Sequence, residues 1–161
     1  SLIHAVTIGC NVVGAGTGGT ITGCGTFFKE KSKEIKVIGV DTYGSILKEI
    51  HETGEIHYDH AYTYITEGIG EDILPENYDM SVIDHFEKVI DKDGAIYARK
   101  LAKEEGIFCG YSAGSAIAAI KQMQDQFTKD DIIVVLLHDH GSRYVGKIYN
   151  DDWMKEMGWL D

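Results

Sequence analysis

The chain has 161 residues, 43% hydrophobic and 25% charged, with a formal net charge of −11. That length gives one α/β-sized domain over 1–161 with room for a core, and the charge opposes partnership with nucleic acid or an anionic membrane surface. No run of about 18 apolar residues occurs, which excludes a spanning helix, and the apolar start lacks a basic leader, so a cytoplasmic location is expected.

Residues 3–14 read as a strand, and residues 18–31 as a helix with lysines gathered at its C-terminal end, where the dipole favours them. Residues 35–41 form a β-branched run and a second strand. Ser45 to Ile50 suit a short helix. Residues 54–79 are turn-rich, with Tyr62 to Ile65 a strand candidate and Gly68-Ile69-Gly70 a break. Asp91 to Glu105 predict a helix, Ile107 to Cys109 a short strand, and Ser112 the start of a helix. In that last helix Ala113, Ile117, Ile120, Met123 and Phe127 fall at helical spacing. Ile132 to Leu137 predict a buried strand, and residues 143–157 one or two short helices. The alternation implies an α/β fold: a three-layer, mostly parallel sheet flanked by helices. Cys10, Cys24 and Cys109 are odd in number, widely spaced and set in apolar runs. They read as buried free thiols of a reducing compartment.

Between the first strand and helix lies Val12-Val13-Gly14-Ala15-Gly16-Thr17-Gly18-Gly19-Thr20. Glycines let backbone come close to a ligand, and a helix start offers free N–H groups and a positive dipole end, so the loop is a phosphate cradle. Two readings compete. Gly14, Gly16 and Gly19 fit a dinucleotide fingerprint, with Asp41 at the end of the next strand as the ribose acceptor. Alternatively Gly16, Thr17, Gly18, Gly19 and Thr20 hold a single phosphate group. A plain strand-to-helix turn is the bland option. No Gly-Lys-Ser/Thr follows, so a Walker loop is excluded.

Gly110-Tyr111-Ser112-Ala113-Gly114-Ser115 is a second strand–turn–helix junction, with Ser112 suited to the N-cap. Strand ends of an α/β sheet gather at one crevice. The phosphate loop, this junction, the turn Glu67-Gly68-Ile69-Gly70 and the segment His138-Asp139-His140-Gly141 are therefore expected to converge.

Taken in order, these motifs resemble the fold-type-II pyridoxal-phosphate enzymes, the family of cysteine synthase and cystathionine β-synthase. The resemblance runs from Val12 to Leu160. It implies that Gly16, Thr17, Gly18, Gly19 and Thr20 hold the phosphate of pyridoxal 5'-phosphate, that Ser112 hydrogen-bonds the pyridine nitrogen, and that Gly68, Ile69 and Gly70 lie beside the cofactor at the substrate entrance. It demotes the dinucleotide reading and leaves Asp41 as a strand-end carboxylate. Glu67 to Gly70 with Asp72-Ile73-Leu74-Pro75 and Val82-Ile83-Asp84, and the ending Asn150-Asp151-Asp152-Trp153-Met154 with Gly158-Trp159-Leu160, lean toward the cystathionine β-synthase branch. Two positions depart from that branch. Glu71 stands where an aromatic residue is usual near the substrate, and His138-Asp139 replaces a proline-led turn.

The resemblance further implies β-replacement on serine or an activated serine by a thiol, amino-acid substrates, and a homodimer. The alternatives are the cysteine synthase reaction, O-acetylserine plus sulfide, and a non-catalytic domain for a phosphate ligand or nucleotide. The family's Schiff-base lysine belongs to a motif upstream of the phosphate loop, and none precedes Val12. Fifteen basic residues less Arg99 and Arg143 leave thirteen lysines, all in helices or polar loops. No catalytic residue is therefore expected in this chain, which is expected to be the C-terminal portion of a catalytic core and inactive alone. His57 with His60 and His138 with His140 have short spacings, but no cysteine pair completes a zinc set. They are expected to be turn histidines, with no metal.

Overall fold

The computed structural model describes residues 9–161. Four strands make one sheet: β1 Cys10–Gly14, β2 Lys36–Thr42, β3 His85–Val89 and β4 Ile133–Val135. Their order is β3-β2-β1-β4, and every ladder is parallel. The helices are α1 Gly19–Lys31, α2 Leu47–Thr53, α3 Asp91–Glu105, α4 Tyr111–Gln122 and α5 Asp151–Glu156. No helix among the described residues is long and apolar enough to cross a membrane.

The sheet is apolar on both sides because successive residues of a strand point to opposite faces. Cys10, Val12, Ile38 and Val40 face Ala116, Ala119 and Met123 on the α4 side. Val13 and Val37 pack with Ile21 of α1, Leu47 of α2 and Phe86 on the other. Helix α3 lies on α4 as a further layer, close enough that a Cβ on Gly114 would sit 2.1 Å from the Gly94 carbonyl oxygen. The expected layered α/β architecture is thus present.

Several local expectations are corrected. Strand β1 begins at Cys10, and positions 3–8 of the predicted strand lie outside the described residues. Tyr62 to Ile65 form no strand: the Tyr62 N–H donates to the Gly44 carbonyl, and the Ile65 and Thr66 N–H groups donate to the Asp91 carboxylate. Their partners lie outside the sheet, so β-branching alone did not make a strand. Ile107 to Cys109 contribute one antiparallel bridge, Cys109 to His140. Strand β3 was not foreseen, because Glu87 and Lys88 interrupt its apolar residues Phe86 and Val89. Phe127 lies beyond α4. The three thiols are free, with Cys10 and Cys109 buried and Cys24 partly exposed.

Candidate functional site

At the C-terminal ends of the strands lies a cavity of about 560 Å³, the crevice position that an open parallel sheet provides. One wall is the loop between β1 and α1. Gly18 is the N-cap of α1 with φ of 86°, and a Cβ there would collide with the Tyr78 ring at 2.5 Å. The Tyr78 hydroxyl donates to the Gly16 carbonyl at 2.6 Å, so the tyrosine clamps the loop from outside. A Cβ on Gly16 would lie 3.0 Å from the Gly68 carbonyl oxygen, which brings the glycine turn against the loop. The Gly70 N–H donates to the Ala15 carbonyl at 2.7 Å and fixes that contact.

Gly19 differs. A Cβ there would meet nothing within 4 Å, and the residue is exposed. No side chain caps α1, and its first turn holds no acid. The first-turn N–H groups are therefore open to an outside acceptor, with the positive end of the helix behind them. Thr17 and Thr20, both exposed, line the cavity and add hydroxyl donors.

Ser112 lies on the other side of the glycine turn, with its Oγ 3.5 Å from where a Cβ on Gly68 would stand. It is buried and lines the cavity. It is not the N-cap: α4 begins at Tyr111, and Gly110 occupies the cap position without any side-chain cap. Gly110 leaves no room for a side chain. A Cβ on Gly110 would come within 1.6 Å of Asp139 Oδ1, and the Gly110 N–H donates to the Asp139 carbonyl at 2.9 Å. A Ser112 hydroxyl that has no capping duty is free for a ligand.

The mouth is acidic. Glu71 lines the cavity, with its N–H donating to Ser45 Oγ at 3.0 Å, and burial followed by the nearby Asp72 raises its carboxyl above the usual range. Tyr64 beside it is pushed up to about 12, by burial first and then by the Glu71 charge. Asp139 places Oδ2 on the Tyr144 hydroxyl at 2.8 Å, while its Oδ1 is buried without a partner among the described residues. His138 stands on the exposed rim, its ring close over Gly14, and the protein around it holds its pKa below the ordinary value. Among the described residues, no lysine or arginine lines the cavity.

The structure therefore brings together Gly16, Thr17, Gly18, Thr20, Gly68, Ile69, Gly70, Glu71 and Ser112. Gly19 adjoins the cavity at the helix start without lining it. Glu67 is turned away to pair with Lys147, and His140 packs its ring edge-on to Phe108. Asp41 is fully buried and spends its oxygens on the Thr42 and Lys48 N–H groups at 2.8 and 3.1 Å, so it offers nothing to a ribose. The sequence reading missed Tyr64, Thr66 and Tyr78, which sit in an irregular segment where no period or motif marks them. The uncapped helix start with its two threonine hydroxyls at one side and the neutral Ser112 hydroxyl at the other fit pyridoxal phosphate by donor chemistry.

Comparison with known proteins agrees. The family model described as "Pyridoxal-phosphate dependent enzyme" matches residues 5–139. Cystathionine β-synthase of Oryctolagus cuniculus is 40% identical over 150 residues, 93% of this chain and 27% of that protein. Cystathionine β-synthase of Saccharomyces cerevisiae is 38% identical over 148 residues, 90% of this chain and 29% of that protein. The crystal structure of O-ureido-L-serine synthase superposes with a TM-score of 0.77 at 25% identity, covering 92% of this chain and 47% of that one. The chain thus spans just over a quarter of the length of these curated relatives.

Proposed function

We propose a β-replacement role for this chain, which belongs to the pyridoxal-phosphate dependent enzyme family: serine loses its β-hydroxyl as water and the homocysteine thiol takes its place, giving cystathionine. The observation that carries the reading is the convergence, on one cavity, of the uncapped α1 terminus, the Ser112 hydroxyl and the acidic mouth at Glu71. Pyridoxal phosphate, when bound, supplies an electron sink that lets an amino acid lose its β-substituent.

The chain's own residues do the rest of what is proposed here. The backbone from Gly16 to Thr20 and the two threonine hydroxyls hold the phosphate. Ser112 offers a neutral hydroxyl to the ring nitrogen and leaves the ring less electron-withdrawing than a carboxylate partner would, which suits chemistry driven by a leaving group. Gly68 to Gly70 line the substrate entrance. Glu71 attracts the ammonium group of an incoming aminothiol and repels bisulfide, a bare anion. No lysine among the described residues lines the cavity, and the proposal assigns the Schiff-base role to none of the thirteen lysines of this chain. The proposed assembly is a homodimer of the complete enzyme.

A second reading is sulfide addition to an activated serine. The similarity to O-ureido-L-serine synthase keeps it open, because that enzyme is named for a serine derivative other than cystathionine. The deciding experiment measures kcat/KM for homocysteine and for sulfide in the complete enzyme, with Glu71 and with Glu71→Gln. A fall in the homocysteine-to-sulfide ratio in the variant supports the reading. An unmoved ratio removes Glu71 from the choice of nucleophile.

A further inference from the structure

Away from the cavity, the loop after α2 gathers two imidazoles and a ring of carboxylates. His57, Asp59 and His60 each present a donor atom, and the three atoms lie within 4.8 Å of one another. The imidazole rings stack with centroids 4.8 Å apart and planes 25° off parallel. Each ring is anchored by a different carboxylate. His60 Nδ1 lies 2.8 and 3.0 Å from the two oxygens of Glu49, and His57 Nε2 lies 3.1 Å from Glu55 Oε2.

We propose that His57, Asp59 and His60 form a surface site for a divalent transition metal of the zinc class. Four features point there. Two imidazoles with one carboxylate are the ligand set of an open zinc site, with the fourth position left to water. A carboxylate on the remaining nitrogen of a ligating histidine is the arrangement that fixes tautomer and orientation in metal centres. Here Glu49 and Glu55 occupy that place, leaving Nε2 of His60 and Nδ1 of His57 for the metal. Glu49, Glu52, Glu55 and Asp59 put four carboxylates within twelve residues of a chain already at −11, and Lys48 answers only Glu52, at 3.7 Å. Finally, metal–ligand bonds of about 2.0–2.2 Å in a tetrahedron separate donor atoms by about 3.4 Å, so one donor atom from each residue, all within 4.8 Å of one another, has to close in by at most about 1.4 Å. Asp59 and His60 are exposed and His57 half-buried, so small side-chain rotations accomplish this without disturbing the core. The sequence alone counted the histidines and missed their neighbours: the folded loop supplies Asp59 as third ligand and Glu49, from the preceding helix, as support.

Calorimetric titration of the untagged chain with zinc chloride tests the site directly and does not depend on the reading of the cavity. One equivalent should bind. His57→Ala and His60→Ala should each weaken binding at least about 10-fold, and the double variant should abolish the equivalent. Glu49→Gln, which leaves all three ligands in place, should weaken it about 10-fold through the lost support. His85→Ala, outside the cluster, should bind as the parent does, and far-UV circular dichroism should show every variant folded. No binding by the parent chain, or undiminished binding by the folded double variant, overturns the proposal.

Discussion

Helix α5 starts at Asn150, whose side-chain oxygen accepts from the Trp153 N–H at 3.0 Å, with Asp151 and Asp152 in the first turn. Helix α1 starts at Gly18 with no side-chain cap and no acid in its first turn. The two ends carry the same unpaired N–H groups and the same sign of dipole. The protein satisfies one from within and leaves the other open. Across the described α-helices, α2, α3 and α5 carry acids in the first turn, while α1 and α4 do not. These two are also the helices whose starts meet at the cavity, through the Gly16–Thr20 loop and Ser112. A helix end left unsatisfied costs stability, so the pattern supports the proposal that these two starts serve a ligand.

The most severe way to break this contrast is to give α1 the acid that α5 has. Gly19→Asp introduces a side chain into open space. It should leave stability unchanged or raise it by about 0.5 kcal/mol through the dipole. It should lower affinity for pyridoxal phosphate at least about 100-fold, about 2.7 kcal/mol. Calorimetry with the cofactor and thermal unfolding of the same sample check both halves.

Next in size is a change on the open helix that touches no ligand. Gly114→Ala drives a methyl into the backbone of α3, 2.1 Å from the Gly94 carbonyl oxygen and 2.5 Å from the Ala98 nitrogen. Overpacking of this kind costs about 1–3 kcal/mol, and rigid backbone on both sides puts the expected loss near the top of that range. Urea unfolding measures it. A neutral result would show that α4 is held by something other than close contact with α3.

Asn150→Ala removes the closed cap of α5 and should cost about 1 kcal/mol, with pyridoxal phosphate binding unaltered. Ser112→Ala should change stability least, by under about 0.5 kcal/mol, because Gly110 and not Ser112 holds the cap position. In the complete enzyme the same substitution should lower kcat. Equal turnover with Ser112 and with Ala would leave the hydroxyl without a role.

The motifs were legible because they rest on local chemistry. Gly16 to Thr20 and Gly68 to Gly70 are set by backbone demands that a sequence states outright, and the sheet was visible where β-branched residues dominate a strand, as Val37, Ile38, Val40 and Thr42 do in β2. What escaped depends on partners distant in sequence. Strand β3 exists because Ile38 to Thr42 of β2 offer it a ladder, despite its polar Glu87 and Lys88. Tyr62 to Ile65 had the composition of a strand but not a neighbour to pair with. Ser112 has the residue type of a cap, but α4 starts one residue earlier, at Tyr111, with Gly110 in the cap position. Tyr78 reached the loop from sixty-two residues away, with no motif to announce it.

The central claim is that the open start of α1 recognises a phosphate. It is tested most directly by titrating the chain with pyridoxal phosphate and, separately, with pyridoxal, which lacks the phosphate. The account predicts binding of the phosphorylated form, competition by inorganic phosphate, and affinity for pyridoxal at least about 100-fold weaker. Equal affinity for the two forms, unmoved by inorganic phosphate, would contradict it.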